Sequence, residues 1–340
     1  MKVFLFFFLE FQPEAANMHG YRPVVASDRP ELFGMWHISF CFYEVFGAIG
    51  IIPNILLLFV LLAHRSYRKD YKLPILLCIA DATNCLAILT LGVHSVTIYT
   101  TAIRDKIVPE ETSLSCALSA PVYLRNIGNV MSPLVHGAIA FDRFICVKYP
   151  LWYRSNIATR QLLLPLVVVV AVLLFLPIGF YLAFLRRNSG PVKFFCGRRA
   201  SFGNFYTMII YVVLVFGYFL AFLSNVFSFI LVRTGRSRNA SLARSLKIAV
   251  IVSFVSFLLI SVPNASSFLD IINPISPLTL QISTYLSVIA YSINLFLYIA
   301  LSPEFRHRTL HSITCGYRKA FPESQAHIEV LEKKTTTIRS

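Results

Sequence analysis

Seven apolar stretches, each long enough to cross a lipid bilayer, divide this chain of 340 residues. A helix needs about 20 mostly apolar residues to cross a hydrocarbon core roughly 30 Å thick. The stretches are continuous and do not show the alternating ten-residue pattern of a membrane barrel. We therefore predict an all-α membrane protein, a bundle of seven transmembrane helices at residues 38–63, 73–99, 116–141, 161–185, 205–232, 246–271 and 279–301.

Little of the chain lies outside these stretches. Residues 1–37 are predicted to be extracellular, and their short apolar run at 1–9 is compatible with a signal peptide, a membrane-touching flap or a misplaced start. Residues 38–301 form the seven-helix domain. Residues 302–315 are predicted to form a short amphipathic eighth helix on the membrane surface, followed by a cytoplasmic tail at 316–340.

The distribution of basic residues predicts how the chain is oriented in the membrane. The net charge is +15. If the first helix ends inside the cell, 20 of the 31 Lys and Arg residues lie in or beside the connections between helices one and two, three and four, and five and six, or in the carboxyl tail. Cytoplasmic loops are enriched in Lys and Arg. We therefore predict a multi-pass plasma-membrane protein with an extracellular amino terminus and a cytoplasmic carboxyl terminus. The positive net charge is explained by the basic residues of the predicted cytoplasmic segments. It therefore does not predict nucleic acid as a partner.

Two of the seven cysteines fall on the predicted outer side, where the oxidising environment permits a disulfide bond. They are Cys116, at the outer start of the third stretch, and Cys196, in the second outer loop. We expect them to pair, with two unpaired thiols as the alternative. Cys315 follows the predicted eighth helix and is either a palmitoylation site or an ordinary free thiol.

Polar side chains inside a membrane are costly and need a partner or a function. Asn54, Asp81, Ser132 and Asn294 lie at similar depths in the first, second, third and seventh stretches. We expect them to meet in the centre of the bundle and to solvate one another, with water or a sodium ion beside Asp81. The alternative is that each makes a separate hydrogen bond that joins neighbouring helices.

Arg125 is the residue with the clearest implication for ligand chemistry. It precedes Arg143 by 18 residues, or about five helical turns, so both lie on one helix face. A guanidinium in the outer third of the bundle suits a carboxylate or another anionic or carbonyl-bearing ligand. The alternatives are an internal ion pair with Glu44 or Asp270 and snorkelling to the outer interface.

Aromatic and histidine residues add weaker indications. Tyr123 and Tyr291 are candidates to line a ligand pocket, although tyrosines near helix ends more often belong to an interfacial belt. His94 and His136 lack the clustered spacing of a metal site, and we expect satisfied core histidines and no bound metal.

The polar motifs, taken together and in order, resemble the landmarks of rhodopsin-like (class A) G-protein-coupled receptors. The resemblance extends from about residue 40 to 315. The matching positions are Asn54, Asp81, Cys116, Asp142-Arg143-Phe144, Tyr149-Pro150, Phe257, Pro263, Asn294, Tyr298 and Phe305-Arg306.

The chain also departs from that family pattern. Leu295 occupies the usual proline position of the seventh helix, and Ser261 occupies a position where tryptophan is common. Cys116 lies 27 residues before Arg143, about two more than usual. Together with the Phe-rich helices, these departures are similar to those of the divergent nematode serpentine chemoreceptors, and the SX class is the narrower match.

The resemblance implies roles for residues at the cytoplasmic end. Arg143 would pair with Asp142 at rest and face the G protein's terminal helix when the sixth helix swings outward. The alternative is a plain surface pair that sets topology. The other residues with implied roles are Phe257 and Pro263 in the bend, Tyr298 in the open form, and Arg244 and Lys247 at the inner mouth.

The predicted function is that of a G-protein-coupled receptor without enzymatic activity. It would bind a small extracellular ligand, either a chemosensory cue or a neuropeptide or small molecule, and activate a heterotrimeric G protein. The alternative is a seven-helix ligand-gated channel or transporter, which would usually show a repeated half or broken facing helices. An intramembrane hydrolase would need paired carboxylates, whereas Asp81 is the single acid at its depth.

Overall fold

A computed structural model describes residues 20–63, 68, 71–153, 155, 162–234, 240–272, 277–301, 305, 306 and 309. Seven of its helices are long and apolar enough to cross a membrane, so the predicted fold class is confirmed. In chain order they are α1 Phe33–Ala63, α2 Lys72–Asp105, α3 Ala120–Lys148, α4 Leu163–Leu185, α5 Arg198–Thr234, α6 (Ala240–Ser256, a π-helical turn at Phe257–Ser261, and Val262–Ile272) and α7 Pro277–Leu301.

The third predicted stretch contains a break that the hydropathy pattern did not indicate. A short helix covers Ser113–Leu118, Ser119 is extended with φ −64° and ψ 135°, and α3 begins at Ala120 with Pro121 in its first turn. Proline is well suited to that position because the first helical amide needs no intrahelical acceptor. Cys116 therefore lies on the short helix before α3, which accounts for its unusual distance from Arg143.

The predicted disulfide bond between Cys116 and Cys196 is confirmed, with an S–S distance of 2.03 Å. It ties the segment before α3 to the loop between α4 and α5. In the same region a backbone bridge joins Glu111 to Val192. The two connections hold this loop against the end of the bundle.

A small antiparallel sheet extends the same end of the bundle. Strand β1 (Tyr21–Pro23) precedes α1, and strand β2 (Ile107–Pro109) follows α2. An aromatic cluster packs beside the sheet, and the centroids of its Phe33 and Tyr99 rings are 5.4 Å apart. The segment before α1 is thus fixed to the loop between α2 and α3, and α1 begins five residues earlier than predicted.

The outer surfaces of the helices are apolar and the interior carries many polar groups. Large exposed side chains include Leu174, Phe205 and Phe227, which lie on α4 and α5. A soluble protein rarely exposes an apolar surface of this extent, whereas the hydrocarbon chains of a bilayer solvate it favourably. This pattern is that of a multi-pass membrane protein.

Helices α1 and α2 approach each other closely through two glycines. A Cβ atom at Gly47 would lie 2.5 Å from the backbone nitrogen of Leu89, and one at Gly92 would lie 2.5 Å from that of Glu44. Small residues allow membrane helices to pack backbone against backbone, where dispersion contacts replace the missing hydrophobic driving force. The position of α2, which carries Asp81, depends on this contact.

The chain from Tyr298 onward forms a separate unit. Within it, the ring of Tyr298 lies 5.7 Å from that of Phe305, and Phe305, Arg306 and Thr309 are helical. The rest of the predicted eighth helix, the cytoplasmic tail and Cys315 lie outside the described residues, as does the signal-like stretch at 1–9.

Replacing Gly47 with alanine tests the close approach of α1 and α2. Alanine normally favours a helix over glycine, yet here its methyl group meets backbone atoms that cannot rotate away. We expect Gly47→Ala to lower the free energy of unfolding by about 1–3 kcal/mol, the usual cost of overpacking. Thermal unfolding of the purified protein in detergent measures the change.

Gly34→Ala is the matched control, because it lies on the same helix and its added methyl group meets no atom within 4 Å. Equal melting temperatures for Gly47→Ala and Gly34→Ala would contradict the proposed packing.

Candidate functional site

The carboxylate of Asp81 lies at the centre of the bundle, with 1% of the residue exposed. Ser132 Oγ of α3 donates a hydrogen bond to one carboxylate oxygen at 2.7 Å, and Asn294 Nδ2 of α7 donates to the other at 2.7 Å. A buried carboxylate is tolerated when donors replace the water that it has lost. The structure therefore places Asp81, Ser132 and Asn294 together, as the sequence predicted.

The hydrogen bonding continues from Ser132 to two further helices. Tyr218 of α5 donates to Ser132 Oγ at 2.8 Å. His136 Nδ1 lies 3.1 Å from the Ser132 carbonyl oxygen, and its Nε2 lies 3.4 Å from Ser256 Oγ of α6. We call Asp81, Ser132, Asn294, Tyr218 and His136 the central network. It connects α2, α3, α5 and α7 directly and reaches α6 through Ser256.

Asn54 does not join this network, in contrast to the prediction. Its Nδ2 donates to the carbonyl oxygens of Gly50 and Tyr291, each at 3.0 Å. The amide is thus satisfied by the backbone of its own helix and of α7. Asn54 follows the alternative expectation of a separate hydrogen bond between neighbouring helices, while the other three residues meet.

A small cavity, which we call the outer chamber, lies about one helical turn from Asp81 toward the disulfide end. Its volume is about 10 Å³, close to what one water molecule needs. Helices α2, α3, α6 and α7 contribute its lining. The residues are Asn84, Ile88, Arg125, Asn129, Asn264, Thr284, Ser287 and Tyr291, of which Arg125 alone is charged.

Asn84 gives the chamber a buried donor. The residue is 2% exposed, and its Nδ2 makes no hydrogen bond with any described residue. Gly128 of α3 makes room for it, because a Cβ atom at that position would lie 2.3 Å from Asn84 Oδ1. The amide is therefore held in place by close packing and still has a donor to offer.

Arg125 reaches the chamber without the acidic partner that the sequence allowed. Its Nη2 lies 3.4 Å from Thr284 Oγ1, a long hydrogen bond. Asp270 instead forms an ion pair with Arg199 at 3.2 Å, and Glu44 forms no ion pair among the described residues. The geometry therefore does not support the expected ion pair of Arg125 with Glu44 or Asp270.

Arg198 is a second cation in this region that sequence reasoning missed. In the sequence it adjoins the polar residues of the second outer loop, whereas α5 begins at this residue and buries it to 8% exposure. Its guanidinium carbon lies 4.5 Å from the centroid of the Tyr211 ring, and its Nη1 makes no hydrogen bond with a described residue. It is close enough to Arg125 for an electrostatic interaction.

The two candidate pocket tyrosines have different environments. Tyr291 is buried and lines the chamber, and its carbonyl oxygen accepts the hydrogen bond from Asn54. Tyr123 is 39% exposed, and its ring packs 5.9 Å from that of Phe180. Tyr123 precedes Arg125 by two residues and so points about 200° away around the helix. It does not line the chamber.

At the other end of α3, the geometry differs from the expected pair between Asp142 and Arg143. Tyr153 donates to Asp142 Oδ1 at 3.1 Å, and no ion pair joins Asp142 to Arg143 among the described residues. Adjacent residues on a helix point about 100° apart, which separates the two side chains. Burial and the nearby carboxylate raise the pKa of Tyr153, so its hydroxyl remains a donor. Arg244 and Lys247 of α6 are exposed.

The middle of α6 is irregular. The π-helical turn at Phe257–Ser261 precedes Pro263, and the ring of Phe257 stacks on that of Phe222 at 5.7 Å. Ser261 Oγ donates to the carbonyl oxygen of Val215 on α5 at 2.8 Å. In the position where tryptophan is common in rhodopsin-like receptors, Ser261 thus forms a hydrogen bond between α5 and α6.

Several of these polar residues could have been found from helical spacing. Asn84 follows Asp81 by three residues and Asn129 follows Arg125 by four, which places each pair on one helix face. His136 follows Ser132 by four in the same way, and it is satisfied as predicted, whereas His94 Nε2 has no described partner. Sequence spacing gives no comparable signal for Arg198.

The seven membrane helices, the disulfide bond at one end and the buried polar network define a seven-transmembrane receptor. The family model for the serpentine type 7TM GPCR chemoreceptor Srsx matches residues 47–312, and the chain belongs to that family. The predicted resemblance to nematode serpentine chemoreceptors of the SX class is therefore confirmed. No curated protein matches the chain.

Proposed function

We propose that this chemoreceptor binds a small ligand in the outer chamber and activates a heterotrimeric G protein at the opposite end of the bundle. The observation that carries the proposal is the central network, which passes without a break through four helices one turn from the chamber. Asn84 of the chamber lining follows Asp81 by three residues on α2, so the chamber and the network share one face of that helix. A ligand that displaces this face would therefore affect the network.

The position of the disulfide bond supports an extracellular chamber. Cys116 and Cys196 join at the end of the bundle nearest the chamber, and disulfides persist on the oxidising side of a membrane. In the sequence, most Lys and Arg residues fall in the connections that alternate with the disulfide-bonded ones and in the carboxyl tail, as expected of cytoplasmic segments. Both observations favour an extracellular amino terminus, a cytoplasmic carboxyl terminus and residence in the plasma membrane.

The cytoplasmic end offers a basic surface to the G protein. Arg143 is partly exposed and forms no ion pair with a described carboxylate, and Arg244 and Lys247 are exposed on α6. An outward movement of α6 would open the space between these side chains. The carboxyl-terminal helix of a G protein, which carries a free carboxylate, would then contact Arg143.

The irregular middle of α6 supports a movement of that kind. Opening would break the hydrogen bond from Ser261 to Val215 and the contact between Ser256 and His136. Hydrogen bonds between membrane helices contribute about 0.6 to 2 kcal/mol each. A ligand with a tenfold preference for the open state supplies about 1.4 kcal/mol, so a few contacts in the chamber are enough to shift the populations.

We also propose that a sodium ion binds beside Asp81 in the closed state. Asn294 Oδ1 is buried and makes no hydrogen bond with a described residue, so it supports this site as an oxygen ligand together with Asp81 and Ser132. Hard cations prefer such oxygen ligands.

We expect sodium chloride, compared with choline chloride, to stabilise the protein by about 1.4 kcal/mol at ten times Kd, and Asp81→Asn to abolish the difference. An equal sodium effect in Asp81→Asn would contradict this site.

Arg143→Gln tests the proposed coupling to a G protein. The variant keeps hydrogen-bonding capacity and loses the positive charge that would contact the G protein. We expect nucleotide exchange on co-expressed heterotrimeric G proteins, basal and ligand-evoked, to fall at least tenfold, which corresponds to about 1.4 kcal/mol of lost interaction. Surface labelling of the receptor must be unchanged for the comparison to hold.

Arg104→Gln is the matched control, because it removes an exposed arginine at the chamber end of α2 and should leave exchange unchanged. Wild-type exchange in a correctly inserted Arg143→Gln protein would contradict the proposal. A ligand-evoked current or uptake that persists after the G protein is uncoupled would favour the channel or transporter alternative.

A further inference from the structure

Three nitrogen donors in or beside the outer chamber are incompletely satisfied. Asn84 Nδ2 and Arg198 Nη1 are buried and make no hydrogen bond with a described residue, while Arg125 makes one long contact of 3.4 Å to Thr284. Unpaired buried donors are rare in proteins because each loses its hydration without compensation. Asn84 and Arg198 each lack a hydrogen-bond acceptor, and the one acceptor of Arg125 is distant.

The electrostatics of the region also favour an acceptor, because its two cations have no acidic partner among the described residues. Arg125 and Arg198 interact electrostatically, and neither forms an ion pair with a carboxylate among the described residues. Asp270, one of the two acidic partners considered for Arg125, is paired with Arg199. Arg198 is buried and Arg125 is partly buried. Charges removed from water are usually paired, so these two cations without a counter-charge favour a negatively charged occupant.

We propose that the outer chamber receives the carboxylate of a small organic acid, with Arg125 and Asn84 donating to its oxygens. Arg198 supplies a second positive charge near the same group. This inference rests on the proposed function in that the chamber is taken to be the ligand site of the receptor. A guanidinium fork and a neighbouring amide match the two oxygens of a planar carboxylate.

The size of the chamber argues for a small acid and gives a link to activation. A cavity of about 10 Å³ accepts roughly one water molecule, so a carboxylate must separate the walls to enter. Asn84 and Arg125 lie on one wall, on α2 and α3, while Asn264 and Ser287 lie on the other, on α6 and α7. Occupancy would therefore favour a bundle in which α6 and α7 have moved away from α2 and α3.

The experiment uses the full chain in lipid nanodiscs with defined probes. The probes are the sodium salts of C2 to C6 monocarboxylic and dicarboxylic acids, the primary amides of the same carbon skeletons, and sodium chloride at equal ionic strength. Thermal unfolding reports binding, because a ligand that binds the folded state raises the melting temperature. We expect at least one acid to raise it in a saturable way, with its amide and chloride at least tenfold weaker.

Substitutions locate the effect in the chamber. We expect Arg125→Gln to weaken the apparent affinity for the acid at least tenfold, Arg125→Lys to retain part of it, and Arg198→Gln to weaken it to a smaller extent. Arg187→Gln, which removes an exposed arginine at the same end of the bundle, should bind the acid like the wild type. Each melting temperature is compared with that of the same variant without probe, so a change in basal stability does not affect the result.

Several results would overturn the inference. They are the absence of stabilisation by any acid in the panel, equal stabilisation by an acid and its amide or by chloride, and an acid effect that persists unchanged in Arg125→Gln. If Arg125→Gln does not fold, the comparison of acid with amide on the wild-type protein and on Arg125→Lys decides.

The two proposals fail in distinguishable ways. Acid binding without nucleotide exchange on any G protein would contradict the proposed function and leave the carboxylate site standing. Nucleotide exchange evoked by neutral compounds, without acid-dependent stabilisation, would contradict the carboxylate site and leave the receptor function standing.

Discussion

The bilayer imposes one constraint on which the rest of this structure depends: a polar group inside it must be satisfied by another part of the protein. Asp81 is where this constraint is strongest, since its carboxylate is almost fully buried. The two donors that it needs come from α3 and α7, and a third helix is added through Tyr218. The relative positions of four helices are therefore fixed by the hydrogen bonding of one acid, and any change in their arrangement must exchange those bonds for others.

The same constraint is not met in and near the outer chamber. Asn84 of the chamber lining and Arg198, which lies outside that lining, are buried with donors that no described residue accepts. The chamber lies about one helical turn from Asp81, because Asn84 of its lining follows Asp81 by three residues on α2. In the proposed function, this combination would let a ligand gain binding energy from unpaired donors and also affect the helices around Asp81.

The amino-acid sequence was sufficient for the architecture and for part of the site. Continuous apolar stretches predicted seven helices, the distribution of cysteines predicted the bond from Cys116 to Cys196, and similar depth predicted that Ser132 and Asn294 would meet Asp81. Similar depth also predicted that Asn54 would join this group, whereas its side chain donates a hydrogen bond to the backbone of α7. Hydropathy could not show the break at Ser119, because its backbone angle is not encoded in polarity. Arg198 was missed because a residue at a helix start is read as part of the loop until its burial is known.

The central claim is that Asp81 couples the helices that donate to it, and a double-mutant cycle tests it most directly. Ser132→Ala and Asn294→Ala remove two donors from the same carboxylate, so we expect their effects on the free energy of unfolding in lipid bicelles to differ from additivity by at least 0.5 kcal/mol. Asn54→Ala makes no contact with that carboxylate and should be additive with Ser132→Ala within about 0.3–0.5 kcal/mol. Additive losses for Ser132→Ala and Asn294→Ala would contradict the account.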